Sequence, residues 1–316
     1  MRALEYDRYG GLEVLVSREV PAPHPGPGEI LVRVRAAALN PKDALVRKGR
    51  FKAISGFSFP KRVGLDFAGE VAELGAGVSG HAVGARVFGA LEELTATRGT
   101  LADYVVCRPE ELARAPSGSW VTAAALPLAA TTALQALRDL ARVRPGMRVL
   151  IHGASGGVGT LAVPIAKWLG AHVTTTSSEG NRALCASLGA DQTLDYAAPP
   201  FATTGPLSGV GPFDVVFDVY GNLSFEKVRP VLRGTYVSTV PSARVAWDQL
   251  RTRWSTPHAA LVLVRARTVD FAIVADLVDR GVLRATLDRV VPFDRAVDAV
   301  RALETKRARG KIVVEL

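Results

Sequence analysis

A glycine-rich stretch near the middle of the chain has the residue types and spacing of a phosphate-binding turn. Residues 149–159 read as a short apolar strand that leads into the pattern Ala-x-Gly-Gly-x-Gly. Gly156 permits a tight turn, Gly157 lets a pyrophosphate approach the main chain, and Gly159 lets the following helix pack closely on the strand. The backbone N–H groups and the positive end of that helix then face the phosphates, which predicts a dinucleotide site. The residues expected to line it are Ser155, Gly156, Gly157 and Val158.

The elements after this turn support the prediction because they alternate between helix and strand. A second apolar strand over 171–176 is followed by a helical stretch over 182–188, and another strand covers 213–218. This order predicts a doubly wound parallel sheet of the Rossmann type. Pro164 is expected to kink the first helix, and a loop rich in glycine and proline is expected over 199–212. The alternative is a glycine-rich turn that binds no nucleotide.

Length and local pattern indicate two domains in an α/β protein. The chain has 316 residues, of which 48% are hydrophobic, and this length exceeds one ordinary core. Residues 1–119 read as short β segments with frequent turns, which predicts a β-rich domain. The pattern becomes helical after Pro116, and residues 120–257 carry the Rossmann-type elements. Residues 258–316 are expected to return to the first domain.

Composition and charge exclude several classes of protein. The two cysteines, Cys107 and Cys185, exclude a disulfide framework and an all-cysteine zinc site. No run approaches the roughly 18 consecutive apolar residues of a spanning helix, and the N-terminus lacks the apolar core of a signal peptide. The formal net charge is +9, but the arginines are spread along the chain and form no basic block. We therefore expect a cytoplasmic protein with neither nucleic acid nor membrane as a partner.

Several stretches distributed over the whole chain carry a family resemblance. They are 40–43 (Asn-Pro-Lys-Asp), 64–69 (Gly-Leu-Asp-Phe-Ala-Gly), 83–87, 126–128 with 132–136, 153–159, 187–191 and 309–313. Their order and spacing resemble the medium-chain dehydrogenase/reductase superfamily, and within it the quinone oxidoreductase branch. The resemblance implies a GroES-like β domain, formed by the N-terminal part and the C-terminal return, with a Rossmann domain between them and the active cleft at their junction. We also expect a homodimer.

The residues at the metal positions of that superfamily do not suit zinc. Its zinc-dependent members use a cysteine, a histidine and a second cysteine or an acid, and the matching positions here are Asn40, Leu65 and Leu128. Leucine offers no lone pair, and one amide oxygen is a poor ligand for a metal that prefers nitrogen or sulfur. The cysteine-rich structural zinc lobe of family members is also absent between Gly89 and Leu101. We therefore expect no metal.

The lack of zinc ligands restricts the expected chemistry. Without a Lewis acid nothing acidifies an alcohol hydroxyl, so hydride should pass to an acceptor that is already electrophilic, such as a quinone or an enone. The resulting enolate oxygen then needs a hydrogen-bond donor, and a proton must follow. Asn40 is the candidate donor, and by resemblance Thr132 is a candidate contact near the nicotinamide. Asn40 could instead be a turn residue before Pro41, and Asp43 is expected to cap the following helical turn.

The end of the second strand is expected to decide the cofactor. NAD-binding members place an acid roughly twenty residues beyond the glycine turn, where it binds the ribose hydroxyls, and Ser178 matches that place. Because serine leaves room for a 2′-phosphate, we expect NADPH, with phosphate donors from the next residues. If Glu179 faces the ribose instead, NADH would be preferred. The other residues assigned to the cofactor are Asn181, Arg182, Tyr196 and Lys311.

Together these observations predict a zinc-independent, NADPH-dependent oxidoreductase that reduces a small quinone or α,β-unsaturated carbonyl compound. Two alternatives stay open: a nicotinamide-binding tailoring enzyme of secondary metabolism, and a cofactor-binding protein without turnover. The segments 51–59 and 242–258, which should wall the cleft, contain no recognisable motif. The sequence therefore does not name the substrate.

Overall fold

The computed structural model describes residues 1–201 and 207–316, so residues 202–206 of the predicted loop lie outside the described residues. The strands are β1 (Arg2–Tyr6), β2 (Val16–Glu19), β3 (Ile30–Ala38), β4 (Lys61–Arg62), β5 (Asp66–Leu74), β6 (Arg86–Ala90), β7 (Tyr104–Cys107), β8 (Leu112–Arg114), β9 (Arg148–His152), β10 (His172–Ser177), β11 (Gln192–Asp195), β12 (Phe213–Asp218), β13 (Leu232–Ser238), β14 (His258–Leu261), β15 (Leu287–Pro292) and β16 (Lys311–Glu315).

The α-helices connect these strands. They are α1 (Pro41–Arg47), α2 (Lys52–Ser55), α3 (Trp120–Ala124), α4 (Pro127–Leu134), α5 (Gly159–Trp168), α6 (Arg182–Ser187), α7 (Phe225–Val228), α8 (Ala243–Thr252), α9 (Thr268–Asp279) and α10 (Ala296–Glu304). A π-helical segment, Gln135–Leu140, directly follows α4. Within residues 1–201 and 207–316, no helix is both long enough and apolar enough to cross a membrane.

The chain forms two compact units. The first comprises Met1–Thr131 and Arg265–Leu316, and the second comprises Thr132–Val264. Both changes of unit come later in the chain than the predicted boundaries after residues 119 and 257. The helix α3 packs on β3 and β5 and so belongs to the first unit, whereas β14 pairs with β13 and so belongs to the second. A helical pattern therefore begins before the second unit does.

The first unit is built on two β-sheets. A larger sheet has the order β15-β16-β3-β5-β6-β8, with β7 also pairing with β3, and a smaller sheet has the order β2-β1-β4. The C-terminal strand β16 pairs antiparallel with β3, Val313 lying opposite Ala38, so the last residues complete the N-terminal domain. Apolar side chains such as Ile30, Phe67 and Ile312 are fully buried between the elements. This architecture confirms the expected GroES-like β domain.

The second unit is a parallel sheet of six strands in the order β11-β10-β9-β12-β13-β14. Numbered within the unit, this order is 3-2-1-4-5-6, which is the doubly wound Rossmann arrangement. The central strand β9 is buried from Val149 to His152, as expected for a strand covered on both faces. Helix α5 follows it and continues through Pro164, so the proline does not end the helix. The order of strands reverses between β9 and β12, where open sheets of this type bind ligands.

Candidate cofactor and active site

The turn between β9 and α5 is tight on one side and open on the other. Gly153 adopts a φ of 82°, a conformation that favours glycine. A Cβ at Gly159 would lie 2.4 Å from the carbonyl oxygen of Gly153, so only glycine lets the helix start this close to the strand. At Gly156 the nearest atom to such a Cβ would be that same oxygen at 3.6 Å, which leaves ordinary space. The turn is therefore tightly packed at Gly159, where α5 begins, and open beside Gly156.

A second loop, which follows β12, is held against the glycine turn. The carboxylate of Asp218 accepts hydrogen bonds from the backbone N–H groups of Gly221 (2.7 Å) and Leu223 (2.9 Å) and from the hydroxyl of Tyr236 (3.0 Å). This loop contacts the turn closely, because a Cβ at Gly153 would lie 3.1 Å from the Cβ of Tyr220. The carboxyl end of β9 and the loop after β12 therefore pack together at the point where the strand order reverses.

His152, the last residue of β9, is buried next to this contact. Its Nε2 lies 2.7 Å from Asn222 Oδ1, and its Nδ1 lies 2.6 Å from the hydroxyl oxygen of Thr176. Burial lowers the pKa of His152, which favours the neutral imidazole. A neutral ring with one N–H suits these partners, since Nε2 can donate to the amide while Nδ1 accepts from the hydroxyl. His152 is therefore a packed residue, as the sequence indicated.

Residues predicted to bind the ribose end of the cofactor lie beside the glycine turn. Asn181 Nδ2 donates to Ser155 Oγ at 3.2 Å, which links the segment after β10 to the turn. Ser178 immediately precedes the 3₁₀ turn Glu179–Asn181 that presents the asparagine. The other amide atom, Asn181 Oδ1, is buried and has no hydrogen-bond partner. An orphaned buried polar atom is unfavourable by about 1–3 kcal/mol, so a ligand that pairs with it is stabilised.

The charged side chains next to Asn181 lie at the protein surface. The Arg182 guanidinium pairs with the Glu179 carboxylate at 2.9 Å and donates through Nε to Thr193 Oγ1 at 3.2 Å. Glu179 is 70% exposed and faces this arginine. Tyr196 is half exposed and directly follows β11, where its N–H donates to Ser177 O. Arg182 is thus paired at the surface in a bond that a phosphate could replace.

In the first unit, Asn40 and Lys311 are hydrogen-bonded to each other in a buried cluster. Lys311 Nζ donates to Asn40 Oδ1 at 2.6 Å, to Asp66 Oδ2 at 2.9 Å and to Leu39 O at 3.0 Å. Asn40 Nδ2 donates to the same carboxylate oxygen of Asp66 at 2.9 Å. The second carboxylate oxygen accepts from the backbone N–H of Leu128 at 2.7 Å, at the start of α4. Every ammonium hydrogen of Lys311 therefore has a partner within this unit.

The positions of the residues in and near this cluster can be compared with the roles predicted for them. Asn40 lies between β3 and α1 with extended backbone angles, as a turn residue would, but its side chain points into the cluster. Its backbone N–H donates to Asp43 Oδ2 at 2.7 Å, which is the helix-capping contact expected of that aspartate. Thr132, the other candidate contact, lies in α4 and is buried. The sequence predicts that Lys311 binds the cofactor. In the structure its ammonium group instead donates to three acceptors of the polar cluster.

Ionisation in this region is shifted by burial. Burial and the nearby Asp66 carboxylate raise the pKa of Asp43 to about 7, although the Asn40 N–H, Lys311 and Lys42 act in the opposite direction. Burial also lowers the pKa of Lys42 below its ordinary value. Asp43 therefore carries a proton for a substantial fraction of the time at neutral pH.

The donor set of the first unit does not fit a zinc ion. Asn40 Oδ1 lies 2.6 Å from the Lys311 ammonium, a cation that would repel a metal, and Leu65 and Leu128 have no donor atoms. Within the described part of the chain, no group of three or more histidine, cysteine or acidic side chains is arranged to hold a metal.

Asp66, the centre of the cluster, is not among the site residues predicted from the sequence. Asp66 is fully buried and accepts from three donors, which satisfies its charge. The available signal was a lone acid between Leu65 and Phe67, because a charge in an apolar strand must find a buried partner. That partner, Lys311, lies 245 residues away and could not be identified from spacing.

Two protein-family models match the chain. An alcohol dehydrogenase GroES-like domain covers residues 26–117, and a zinc-binding dehydrogenase covers residues 188–314. The range matched by the second model does not include the metal positions Asn40, Leu65 and Leu128.

Relatives of known name match along the whole chain. A chloroplastic quinone-oxidoreductase homolog of Spinacia oleracea is 34% identical over 328 residues, covering 100% of this chain and 98% of the relative. A 2-methylene-furan-3-one reductase of Solanum lycopersicum is 33% identical, with 99% of this chain and 79% of the relative covered. A mitochondrial NAD(P)H oxidoreductase of Homo sapiens is 30% identical, with 100% and 89% covered.

Solved structures share the fold over its full length. The quinone oxidoreductase from Coxiella burnetii superposes with a TM-score of 0.88 at 32% identity, covering 100% of this chain and 99% of that one. A mycobacterial protein solved in complex with NADPH superposes with a TM-score of 0.82 at 26% identity, covering 100% of both chains.

Proposed function

The chain belongs to the medium-chain dehydrogenase/reductase superfamily, in its quinone oxidoreductase-like branch, and it is an oxidoreductase; we propose that it reduces quinones or α,β-unsaturated carbonyl compounds with NADPH and without zinc. The observation that carries the proposal is the Lys311 ammonium, which bonds to both Asn40 Oδ1 and Asp66 Oδ2. With a cation at these two oxygens and leucines at the other positions, no Lewis acid activates an alcohol. The acceptor must then be electrophilic by itself.

The names of the relatives support this choice of substrate class. The spinach and Coxiella proteins are named for quinones, and the tomato relative is named for an enone. In both kinds of acceptor, negative charge develops on an oxygen as hydride adds to carbon, and a hydrogen-bond donor stabilises it. Asn40 suits that role because one Nδ2 hydrogen donates to Asp66 at 2.9 Å, while Ala38 O, at 3.5 Å, is only a weak second acceptor. A developing oxyanion would be a stronger partner.

The corner at Ser155, Ser178 and Asn181 fits a nicotinamide dinucleotide, which when bound supplies hydride. The turn from Ser155 to Val158 would hold the pyrophosphate, and the orphaned Asn181 Oδ1 marks an unfilled polar position. An amide rotated by 180° presents its NH₂ group at the same place, so Asn181 can donate to a phosphate or accept from a hydroxyl.

Preference for NADPH rests on the charges of this corner. Ser178 leaves space at the ribose, and Arg182 supplies a guanidinium for a 2′-phosphate, with Tyr196 nearby in sequence as a further donor. Glu179, the residue that would favour NADH, is paired with Arg182 and is largely exposed. This pairing supports NADPH, because a phosphate can take over the guanidinium while the glutamate turns to solvent.

The test is cofactor consumption by the purified protein with a panel of quinones and enones. We expect oxidation of NADPH in the presence of these acceptors, unchanged by a strong chelator, and no reduction of NADP⁺ by simple alcohols. Alcohol oxidation that a chelator abolishes would contradict the proposal. Tight NADPH binding without turnover of any acceptor would instead indicate a cofactor-binding protein.

We also propose a homodimer formed beside the edge of the second sheet, about a two-fold axis. The strand β14 is an edge strand within residues 1–201 and 207–316, but its N–H groups at Ala259 and Leu261 donate to the α8 side chains of Thr252 and Gln249, so apolar contacts would join the two copies. Exposed apolar side chains of the same unit, Trp247, Trp254 and Leu263, lie on and after the neighbouring helix α8 and on the chain leaving β14. Sedimentation velocity should give a dimer, and Leu263→Asp, which places a charge on this exposed apolar surface, should give monomers. A wild-type monomer would contradict this proposal.

A further inference from the structure

A small cavity in the first unit is lined by charged groups that have no role in the reaction proposed above. It is lined by Lys42 and Asp43 of α1, by Leu65, and by Arg62, Glu93 and Arg98 among others. It has room for one water molecule. A water molecule in this cavity would lie among ionisable side chains.

Two of these ionisable groups lack the partners that the others have. Arg62 pairs with Glu5 at 2.9 Å, and Arg98 pairs with both Glu93 and Glu111. In contrast, Lys42 forms no ion pair in the described part of the chain. Asp43 uses only Oδ2, which accepts from the Asn40 N–H, whereas Oδ1 accepts no hydrogen bond from any described residue. The unpaired ammonium and the unpaired carboxyl oxygen therefore belong to the same cavity.

This cavity adjoins the polar cluster of Asn40. Asp43 contacts Asn40 directly through the capping hydrogen bond of 2.7 Å. Leu65, which stands at one of the metal positions of the superfamily, lines the cavity as well. The other polar groups of the cluster are committed, since Asp66 accepts from three donors and Lys311 donates to three acceptors. Asp43 is therefore the acidic residue of this region with a carboxyl oxygen, Oδ1, that has no hydrogen-bond partner in the described part of the chain.

We propose that Asp43 supplies, through the water of this cavity, the proton that completes the reduction of an α,β-unsaturated carbonyl compound. The assignment rests on the proposed function and deepens it. Lys42 is assigned a supporting role, in which its ammonium stabilises the Asp43 carboxylate after the proton has left.

The atoms and electrons of the step balance. Hydride addition to the β-carbon moves the electron pair of the carbon–carbon double bond to the carbonyl oxygen and gives an enolate. The α-carbon of the enolate takes a proton from the water, and the water takes the carboxyl proton of Asp43. The carboxylate then regains a proton from solvent. In sum, one hydride and one proton add across the double bond, and the enzyme returns to its starting state.

The ionisation of Asp43 agrees with this geometry. Its pKa is raised to about 7 by burial and by Asp66, against the opposing effects of the Asn40 N–H, Lys311 and Lys42. An acid with a pKa near the working pH is suited to donate a proton and to recover it. The other charged or titratable groups that face the cavity are Tyr6, Arg62, Glu93 and Arg98.

The experiment is the reduction, in D₂O, of a cyclic enone that carries a methyl group on its α-carbon. We expect wild type to deliver deuterium to one face of the α-carbon. Asp43→Asn keeps an acceptor for the Asn40 N–H, and it should lower kcat by about 100-fold or more and give both configurations at that carbon. The face of hydride addition at the β-carbon should not change. Asp43→Glu, which restores a carboxyl group, should recover part of both losses.

Glu93→Gln is the matched control, because it neutralises a carboxylate that lines the same cavity but already pairs with Arg98. It should leave the configuration at the α-carbon unchanged. A wild type that reduces neither quinones nor enones overturns the proposed function and the proton assignment together, and one that reduces quinones but no enone overturns the proton assignment alone. A wild type that reduces the enone, with Asp43→Asn giving the same single configuration, overturns the proton assignment alone and leaves Asp43 a helix cap.

The pH profile gives a second reading of the same assignment. Because Asp43 must be protonated to act, kcat should fall as pH rises through about 7, and this limb should be missing in Asp43→Asn. Lys42→Met removes a cation that lowers the pKa of Asp43, so the limb should move to higher pH. A limb that stays in place in Lys42→Met would contradict the role of the lysine, and one that persists in Asp43→Asn would contradict the role of the acid.

The protonation of Asp43 can also be read without cofactor or substrate. A carboxyl whose pKa is raised on folding holds a proton that the unfolded chain has lost, so its contribution to stability is lost as pH rises from about 4 to about 7. The stability of wild type relative to Asp43→Asn should therefore decrease across this window and stay level above it. A difference that is flat with pH would show that Asp43 is ionised throughout and would overturn the assignment.

Discussion

Two polar regions of this protein differ in whether they are complete without a ligand. In the first unit, Asn40, Asp66 and Lys311 satisfy one another, and every hydrogen of the ammonium is used. In the second unit, Asn181 leaves a buried oxygen without a partner, and the Arg182 guanidinium is held at the surface by an exposed glutamate and by the Thr193 hydroxyl. A complete buried cluster stabilises the fold, whereas an incomplete one indicates a place where a ligand supplies the missing partner. The comparison separates Asp66 and Lys311, which shape the first region, from residues that bind a ligand. Asn40 is the member of the cluster with a donor left over, because its second Nδ2 hydrogen has only the weak acceptor Ala38 O at 3.5 Å.

The largest expected effect comes from breaking the complete cluster. Asp66→Ala leaves the Lys311 ammonium buried without a counter-charge, and this should lower the free energy of unfolding by about 3–5 kcal/mol. Chemical denaturation measures the change. Asp276→Ala is the control, because its pair with Arg280 is exposed on both sides and should matter little. Equal effects of the two substitutions would mean that the buried cluster has no special role in stability.

The glycine turn allows binding to be separated from packing within the incomplete region. Gly159→Ala places a Cβ 2.4 Å from the Gly153 carbonyl oxygen, so it should destabilise the protein by about 1–3 kcal/mol. Gly157→Val should instead abolish dinucleotide binding, because a branched side chain would stand where the pyrophosphate approaches, while the fold is kept. Thermal unfolding and cofactor titration of both variants distinguish the two effects. Unchanged cofactor affinity in Gly157→Val would show that the pyrophosphate lies elsewhere.

The charges around Asn181 should set the choice between NADPH and NADH. Arg182→Ala should weaken NADPH by roughly 1.5–3 kcal/mol, about tenfold or more in Kd, with a smaller change for NADH. Ser178→Asp should reverse the preference, because the added carboxylate repels the 2′-phosphate and can accept from ribose hydroxyls. Dissociation constants of both cofactors provide the measurement. Wild type that binds NADH as tightly as NADPH would refute the assignment.

Glu179→Gln separates the two interpretations of this corner. If Glu179 only competes for Arg182, the variant should bind NADPH more tightly and NADH equally, since the guanidinium is released from its pair. If Glu179 holds the ribose hydroxyls, the variant should lose affinity for NADH.

The smallest expected effect is that of metal removal. Prolonged treatment with a strong chelator should change neither the activity nor the melting temperature, because an ammonium and two leucines stand where zinc ligands would be needed. Elemental analysis that finds about one tightly bound zinc per chain would refute this expectation.

Much of the fold could be predicted because its signals are local. The strand β12 was predicted over its exact residues 213–218, and β9, β10 and α6 were predicted to within about a residue or two at their ends. Apolar runs and glycines act within a few positions of each other, so their meaning survives without tertiary information. The ends of the units were less accessible, because α3 is helical in pattern yet packs on strands of the first unit.

The sequence by itself determined that the chain contains a Rossmann unit with a glycine turn, and that two of the metal positions lack any ligand atom. Only the tertiary structure decided what surrounds those positions. Asn40 and Lys311 had been assigned to different tasks, yet both bond to Asp66, which had no assigned task at all. The physical reason is that burial of a charge can be compensated by a partner at any distance along the chain, and only folding reveals which partner is present.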